Sequence, residues 1–373
     1  MNRTAIIGVI AITGTLLIAG LLLQPLLAGP ETAPRAGSTG PPSPAGSPAR
    51  DKGWPYTTGN AIYSSPLMAN DTVYIGSHDK KVYALDAVTG GVRWTYTTGN
   101  YVTSSPAIAG GNVYVGSYDD KMYALDTATG NLRWTYTTGN YVTSSPAIAG
   151  GTVYVGSRDH KVYALDAVTG RLRWTYTTGN YVTSSPAIAG GTVYVGSHDH
   201  KVYALDAATG ELRWTYTTGN YVYSSPAVAN GTVYVGSHDG KVYALDAMTG
   251  ELRWAYTTGN YVYSSPAVAN GNVYVGSYDH KVYALDAVTG SLRWAYSTGG
   301  SVTSSPAVAG DTVYVGSNDG KVYALDPVTG SLRWAYGTGD YVVSSPAVAG
   351  GVVYVGSRDG KVYALEATTG RPD

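Results

Sequence analysis

The chain has 373 residues, including 49 Gly, 35 Tyr and 8 Trp but no Phe and no Cys. Such lopsided counts indicate that one short unit has been copied many times. The lack of Cys excludes disulfides, thiolate-ligated metal sites, a thiol nucleophile and lipid attachment at a Cys. The net charge of -1, from 24 basic and 25 acidic residues, leaves no excess of positive charge for a phosphate backbone, so we expect no nucleic-acid partner.

The first predicted element is an uncharged run over residues 4–28, which is long enough to cross a membrane as a helix. Residues 1–28 are therefore either an uncleaved signal anchor or a removed signal peptide. The length of the run favours the anchor, as do Leu26 and Leu27, since a cleavage site needs small residues there. Both interpretations predict export, to the periplasm or the cell surface, and the anchor predicts attachment to the cytoplasmic membrane.

A Pro- and Gly-rich segment follows over residues 29–53. It holds six prolines and five glycines and almost no apolar side chain larger than Ala. Such a composition cannot form a packed core and is typical of a linker. In a polyproline-like conformation it would reach about 75 Å, which would hold the following domain clear of a membrane.

From residue 54 to residue 373 the sequence repeats with a period of 40 residues. Each unit begins with a tryptophan: Trp54, Trp94, Trp134, Trp174, Trp214, Trp254, Trp294 and Trp334. The unit over residues 134–173 contains the strand-like runs VTSSPAIA, TVYVGS and KVYALD, and the run RLRWTYTT crosses into the next unit. Gly-, Asn- and Asp-containing turns separate these runs, so each unit is predicted to be a four-stranded antiparallel meander.

One small sheet with two apolar faces is not stable alone, so the units must cover one another. Radial stacking is the all-β solution for units of about 40 residues, and the sequence predicts an eight-bladed β-propeller. The last unit stops at residues 369–373, where its tryptophan-bearing strand should begin, whereas residues 54–58 form such a strand at the start. We therefore expect the N-terminal strand to complete the last blade and remove an open edge.

The segment from Ala84 to Trp94 (ALDAVTGGVRW) resembles the tryptophan-docking motif of PQQ-like, or quinoprotein-type, β-propeller repeats. Seven full copies occur at the 40-residue period, and an eighth begins at Ala364 with Glu366 in place of Asp. The resemblance implies that the eight tryptophans named above are structural docking residues that join neighbouring blades. Small Ala and Gly residues would leave the slot that the indole fills.

Two relatives within this fold suggest different functions. Quinoprotein alcohol dehydrogenases have loop insertions, a calcium site, a catalytic Asp and commonly a Cys pair, none of which stands out among these near-identical units. Catalysis needs unlike residues at one centre, so we predict no enzyme activity, no cofactor and no metal. The outer-membrane assembly scaffold is similar in size and serves protein contacts, but it is a lipoprotein, and this chain lacks the required Cys.

Strand direction sorts the loops of an antiparallel meander into two ends. Counted from the tryptophan, positions 6–8 and 25–27 of each unit fall at one end, which we predict to be the binding face. Its candidate residues are Asn100, Tyr101, Asn140, Tyr141, Asn180, Tyr181, Asn220, Tyr221, Asn260 and Tyr261, together with His78, His160, His198, His200, His238 and His280.

Positions 25 and 27 vary between units, whereas position 26 is always Asp and position 28 always Lys. Two interpretations are open: a solvated loop tip that accepts any residue, or a recognition surface. The sequence His198-Asp199-His200 lacks the further ligands that a metal site needs. Asp86 and its equivalents are expected to bind turn amides. The six histidines, at their ordinary pKa near 6.5, predict that binding changes between about pH 5.5 and 7.5.

The sequence therefore predicts an exported, membrane-tethered and non-catalytic propeller that acts as a scaffold and binds a protein partner. The alternative is a propeller that binds carbohydrate or cell wall through many weak equivalent sites. A PQQ-dependent dehydrogenase is the third and least favoured possibility.

Overall fold

The computed structural model describes residues 54–373, so the predicted signal segment and linker lie outside the described residues. Residues 54–373 form 32 β-strands, which pair into eight four-stranded antiparallel sheets. This arrangement confirms the all-β, eight-bladed propeller predicted from the repeat. Within the same range no helix is long and apolar enough to cross a membrane.

The two inner strands of each blade are short. The innermost strands, which face the central axis, are β2 Leu67–Ala69, β6 Ala107–Ala109, β10 Ala147–Ala149, β14 Ala187–Ala189, β18 Ala227–Ala229, β22 Ala267–Ala269, β26 Ala307–Ala309 and β30 Ala347–Ala349. The second strands are β3 Thr72–Gly76, β7 Asn112–Gly116, β11 Thr152–Gly156, β15 Thr192–Gly196, β19 Thr232–Gly236, β23 Asn272–Gly276, β27 Thr312–Gly316 and β31 Val352–Gly356.

The two outer strands of each blade are longer, except at the N-terminus. The third strands are β4 Lys81–Asp86, β8 Lys121–Asp126, β12 Lys161–Asp166, β16 Lys201–Asp206, β20 Lys241–Asp246, β24 Lys281–Asp286, β28 Lys321–Leu325 and β32 Lys361–Glu366. The outermost strands are β1 Tyr56–Thr57, β5 Val92–Thr97, β9 Leu132–Thr137, β13 Leu172–Thr177, β17 Leu212–Thr217, β21 Leu252–Thr257, β25 Leu292–Ser297 and β29 Leu332–Gly337.

We number the blades in chain order, from blade 1 (β2–β5) to blade 7 (β26–β29). Blade 8 contains β30, β31 and β32 with β1 as its outermost strand. Tyr56 pairs with Val362, and Thr57 pairs with Lys361. The predicted closure by the N-terminal strand is thereby confirmed, because the chain start supplies the strand that the chain end lacks.

The innermost run of each unit is only partly a strand. The whole run VTSSPAIA is strand-like in sequence, but in blade 3 only Ala147–Ala149 pairs with β11. The reason is that Pro146 has no N–H to donate, while the Ser145 N–H donates to Ser185 Oγ of the next blade at 2.9 Å. The same bond joins successive blades around the whole ring through Ser65, Ser105, Ser145, Ser185, Ser225, Ser265, Ser305 and Ser345.

The hydrophobic core lies between blades rather than within them. One buried cluster joins Tyr114 and Trp134 of blade 2 to Val153 and Leu165 of blade 3. Equivalent clusters occupy the other spaces between neighbouring blades. Because both faces of each sheet depend on a neighbour for burial, the eight blades stabilise one another.

The turn that follows each third strand is held by its Asp. Asp86 Oδ1 accepts the N–H groups of Val88 at 3.1 Å and Thr89 at 2.9 Å, which is an Asx turn. Asp86 Oδ2 also forms an ion pair with Arg93 at 2.7 Å. The arginine and the turn amides hold the pKa of Asp86 below its ordinary value, at about 2. Gly90 completes this turn at a φ of 70°, in the left-handed region that glycine adopts at low cost.

Candidate functional site

The predicted candidate residues lie at one end of the ring, which we call the tyrosine face. It consists of positions 6–8 and 25–27 of the units, and its loops are joined by backbone hydrogen bonds. Tyr118 N–H donates to Tyr101 C=O at 2.9 Å, and His198 N–H donates to Tyr181 C=O at 2.9 Å. The turns that contain residues 70–71 and 87–91 lie at the opposite end of the strands. The structure thus places the listed Asn, Tyr and His residues together.

The asparagines of this face shape the loops. Asn140 Oδ1 accepts the N–H of Tyr141 at 2.7 Å, and the other four listed asparagines make the same bond. The tyrosine at position 8 is held at the rim in six blades, where it is between 38% and 46% exposed. These rim tyrosines are Tyr101, Tyr141, Tyr181, Tyr221, Tyr261 and Tyr341. Tyr341 was missing from the sequence prediction because Asp340 precedes it in place of Asn.

The invariant Asp at position 26 is fully engaged in the fold. Asp119 Oδ2 accepts the N–H of Gly99 at 2.7 Å and the hydroxyl of Tyr123 at 2.5 Å, while Oδ1 accepts the N–H of Lys121 at 3.2 Å. Burial, and secondly the hydrogen bond to Asp119, raise the pKa of Tyr123. The same contacts recur in the other blades, so this carboxylate ties its own turn and strand to the loop that contains Gly99, which explains why the position is invariant.

Sequence reasoning missed position 10, on the inner wall of the tyrosine face. Its residues are Tyr63, Thr103, Thr143, Thr183, Tyr223, Tyr263, Thr303 and Val343. Variation between the units is therefore not limited to positions 25 and 27. The signal was present, since this position is Tyr in three units, Thr in four and Val in one, while the two serines that follow it never change. In the structure the side chains at position 10 contact those at position 25 around the mouth of the central channel.

One side of this mouth is a continuous stack of rings. Tyr63 and His78 stack with centroids 4.3 Å apart, and His78 stacks on Tyr101 at 4.6 Å. Tyr101 in turn contacts Tyr118 at 6.1 Å. Aromatic pairs at such separations contribute beyond the area that they bury. Four rings from two adjacent blades are therefore held in one order.

An arginine lies at each end of this stack. The guanidinium carbon of Arg358 is 5.5 Å from the ring of Tyr63, and that of Arg158 is 5.5 Å from the ring of Tyr118. Both arginines also lie over a rim tyrosine, Arg358 over Tyr341 at 4.9 Å and Arg158 over Tyr141 at 5.9 Å. We call the group from Arg358 through Tyr63, His78, Tyr101 and Tyr118 to Arg158 the arginine arc. It spans blades 8, 1, 2 and 3.

On the opposite side of the mouth the side chains of positions 10 and 25 contact one another closely. His198 Nε2 lies 2.8 Å from Thr183 Oγ1, and the His198 ring lies 3.9 Å from Tyr223. Tyr223 also contacts His238 at 4.4 Å and Tyr263 at 4.5 Å. The eight units therefore do not form eight equal sites, because large side chains at position 10 fill this side of the mouth.

Three histidines of the face lie in these stacks, His198 buried and His78 and His238 half-buried. Burial, and then the nearby Arg158, lower the pKa of His198 to about 4, and burial lowers that of His238 to about 4. Burial and Arg358 also lower the pKa of His78. The expectation that all six histidines titrate near their ordinary pKa is therefore wrong for these three, because the neutral ring is favoured away from water.

The described residues hold no group of three or more His, Asp or Glu side chains that could bind a metal ion. In the sequence His198-Asp199-His200, His198 bonds Thr183, Asp199 accepts the hydroxyl of Tyr203, and His200 contacts the ring of Tyr221. The three side chains are thus directed to different partners.

A cavity of about 1290 Å³ occupies the central channel towards the opposite end of the ring. The eight serines that join successive blades line this cavity. Met68, Ile108, Ile148 and Ile188 form part of its wall. Its polar lining groups are thus mainly repeated serine hydroxyls, which do not provide the unlike groups of a reaction centre.

Profiles of two protein families match consecutive parts of the chain. The family described as outer membrane protein assembly factor BamB matches residues 47–143 and 138–222. The family described as the β-propeller of beta-alanine-activating enzyme matches residues 189–372. The chain is a PQQ-like β-propeller. BamB from Moraxella catarrhalis has a similar structure, with a TM-score of 0.71 and 22% sequence identity over 83% of this chain and 99% of that chain.

The PQQ-like propeller also resembles a designed protein. The computationally designed Ika8 superposes with a TM-score of 0.76 and 20% identity, over 83% of this chain and 97% of that chain. At these identities the two likenesses show the fold alone. No curated protein matches the sequence.

The tryptophans of this PQQ-like propeller lie against the next blade. Trp134 donates its indole N–H to Ala167 C=O at 3.0 Å, and the indole covers Gly170, where a Cβ would come within 2.6 Å of the ring. Sequence reasoning missed a second donor, the hydroxyl of Tyr114, which reaches the same carbonyl at 2.9 Å. In every blade a tyrosine of the second strand makes this bond: Tyr74, Tyr114, Tyr154, Tyr194, Tyr234, Tyr274, Tyr314 and Tyr354.

Proposed function

We propose that this chain is an exported, membrane-tethered and non-catalytic scaffold that binds a protein partner through its tyrosine face. The observation that carries the proposal is the set of half-exposed aromatic side chains that the repeat places at that face. Positions 8, 10, 25 and 27 of the units lie together at this face and differ between blades, so the face is not the same in every blade; position 38, at the opposite end, also varies. Six half-exposed tyrosines form the rim, and tyrosine and arginine are enriched in protein interfaces.

Export and tethering are proposed from the N-terminal sequence. The uncharged run over residues 4–28 supplies the anchor, and the linker over residues 29–53 supplies the distance from the membrane surface. Residues 47–143 and 138–222 match the family described as outer membrane protein assembly factor BamB, which supports a scaffold function outside the cytoplasm.

The ring contacts favour a protein partner over a sugar. Binding of a sugar against an aromatic residue needs a free ring face, but His78 lies between Tyr63 and Tyr101, so these faces cover one another. The stack presents ring edges and hydroxyls instead, which suit a polar protein surface. Carbohydrate or cell-wall binding is the alternative, and it requires the rim tyrosines to bind as several weak sites.

The proposal of a non-catalytic function rests on how the carboxylates are used. Asp119 binds Tyr123 and two backbone amides, and Asp126 binds Arg133 and its own turn. Both patterns recur around the ring. A general base must be free to reach a substrate proton, and these carboxylates are occupied by the fold.

The test is capture of a partner from native membranes with the full-length chain, followed by titration of variants. Changing Tyr141, Tyr181 and Tyr221 together to Ala should weaken the captured complex at least tenfold. The matched control changes Arg171, Glu211 and Glu251, which are exposed at the opposite end, and should leave affinity within about twofold. Loss of binding in the control alone would place the interface at the other end.

The same chain tested on a glycan array distinguishes the alternative. A scaffold should bind about one partner per ring, whereas a carbohydrate-binding propeller should bind several glycan units with avidity. Binding of several glycans per ring that the triple tyrosine variant removes would support the alternative and contradict the protein scaffold.

A further inference from the structure

The arginine arc contains two guanidinium groups without a counter-ion. The side chains of Arg158 and Arg358 have no hydrogen bond or ion pair with the described residues, and the Nε atom of each is buried without a partner. Seven other arginines, by contrast, each pair with an aspartate. A half-buried guanidinium without an anion is unfavourable, because part of its hydration is lost without compensation.

Other unpartnered polar atoms lie in the same four blades. Among the described residues, seven buried side-chain atoms have no hydrogen-bond partner, and only His238 Nε2 lies outside blades 8, 1, 2 and 3. The remaining six belong to His78, Thr103, Asp120, Thr143, Arg158 and Arg358. Buried polar groups in folded proteins are normally paired, so their concentration in four adjacent blades marks a part of the face that a ligand completes.

We propose that the arginine arc binds an acidic peptide segment of the protein partner, with carboxylate side chains on Arg158 and Arg358. The planar guanidinium presents paired N–H groups that match a carboxylate. The tyrosines that hold each guanidinium fix its orientation before binding, which lowers the entropy cost. This inference rests on the proposed function, since it specifies which part of the partner enters the tyrosine face.

The unpaired polar groups in the same blades as the two arginines favour a peptide over a simple anion. Asp120 Oδ1 lacks a donor, and Thr103 and Thr143 have unpartnered hydroxyl oxygens. A peptide backbone brings N–H groups that can donate to Asp120, and both N–H and C=O groups that can pair with the hydroxyls of Thr103 and Thr143. An anion alone would repel Asp120 and leave its oxygen unpaired.

The distribution of charge argues against a flat anionic membrane as the ligand. The turn between the second and third strands carries one Asp and one Lys in six blades, while blade 1 has a second Lys, Lys80, and blade 2 a second Asp, Asp120. These charges balance around the face, so a flat anionic surface gains little net attraction. A side chain that enters the mouth instead meets the two unpaired arginines.

The test measures binding of a fluorescein-labelled octaglutamate peptide to the full-length chain by fluorescence anisotropy, with octaglutamine as the uncharged control. Octaglutamate should bind at low salt and octaglutamine should not. Arg158→Gln and Arg358→Gln should each weaken binding about tenfold, as expected for loss of a charge-assisted hydrogen bond. The double Arg→Lys variant, which keeps the charge but loses the fork, should bind with intermediate affinity.

Matched controls use arginines at the opposite end of the ring. Arg171→Gln and Arg371→Gln remove the same charge and should leave octaglutamate affinity within about twofold, and melting temperatures verify that all variants fold. The proposal is overturned if octaglutamate does not bind at millimolar concentration, or if the double Arg→Gln variant binds it as well as the unchanged chain. Binding to phosphatidylglycerol vesicles that octaglutamate does not compete would overturn it in favour of a membrane ligand.

The two proposals fail separately. If octaglutamate does not bind while the triple tyrosine variant still loses the captured partner, the scaffold function stands and the acidic-peptide site falls. If octaglutamate binds through Arg158 and Arg358 but no protein is captured through the rim, the scaffold function falls.

Discussion

Trp54 donates its indole N–H to the carbonyl of Ala87 at 3.2 Å. The donor belongs to the outermost strand of blade 8 and the acceptor to blade 1, although both lie near the start of the described chain. The hydroxyl of Tyr354, from blade 8, reaches the same carbonyl at 3.2 Å. The ring is thus closed by strand pairing within blade 8 and by this junction between blades 8 and 1.

Deletion of residues 54–58 should open the ring. It removes the strand that pairs with Val362 and Lys361 and exposes the cluster around Trp54, so the melting temperature should fall by well over 10 °C. Deletion of residues 29–49 in the linker is the control and should change it by less than about 2 °C. Equal melting temperatures for the two deletions would contradict closure by this strand.

Trp214→Ala should destabilise the propeller by about 3 to 5 kcal/mol, because it leaves a cavity between blades 4 and 5. The indole is 8% exposed and packs against Gly250. His200→Ala, in a loop of the same blade, should change the free energy of unfolding by no more than about 0.5 kcal/mol. Denaturant titration of both variants measures this, and comparable losses would show that the tryptophan does not join the blades.

Tyr194→Phe should cost only about 0.5 to 1.5 kcal/mol. It removes a 2.9 Å hydrogen bond to Ala247 C=O, but Trp214 still donates to that oxygen at 3.1 Å. Combining Tyr194→Phe with Trp214→Ala leaves the carbonyl without either donor, so the double variant should lose more than the sum of the two single losses. A strictly additive result in denaturant titration would argue against a shared acceptor.

Acidification should destabilise the fold through His198 and His238, which are shielded from water in the folded chain. The pKa values of His198 and His238 are lowered to about 4, whereas in the unfolded chain they are near 6.5. The unfolded chain therefore binds more protons between about pH 4 and 6.5, and stability falls as pH decreases through that window, by at most about 1.4 kcal/mol per pH unit for each histidine. Below about pH 4 this contribution is fully lost.

His198→Gln should reduce the slope of unfolding free energy against pH by up to one proton over that window, while His238 continues to contribute. Stability curves at half-unit steps from pH 4 to 7 measure the difference. An unchanged slope would mean that His198 is accessible to protons in the folded state. The lowered pKa values also move the contribution of these histidines to partner binding below the range of pH 5.5 to 7.5 expected from the sequence.

The sequence by itself determined the architecture, because repetition converts local patterns into a global constraint. The 40-residue period gave the number of blades, and the tryptophan-bearing strand at residue 54 predicted how the ring closes. Antiparallel order was enough to place Asn140, Tyr141 and His160 at one end, since it depends only on strand direction.

Only the tertiary structure decided how the face is organised. Units that read alike differ once they meet, because ring contacts such as His78 with Tyr101 join different blades, and their geometry depends on the curvature of the ring. Burial favours the neutral form of His198. The neighbours that the fold supplies leave the Nε atom of Arg158 without a hydrogen-bond partner. Solvation and pairing are properties of three-dimensional neighbours, so a repeat that appears symmetric in sequence produces one distinct arc in the folded chain.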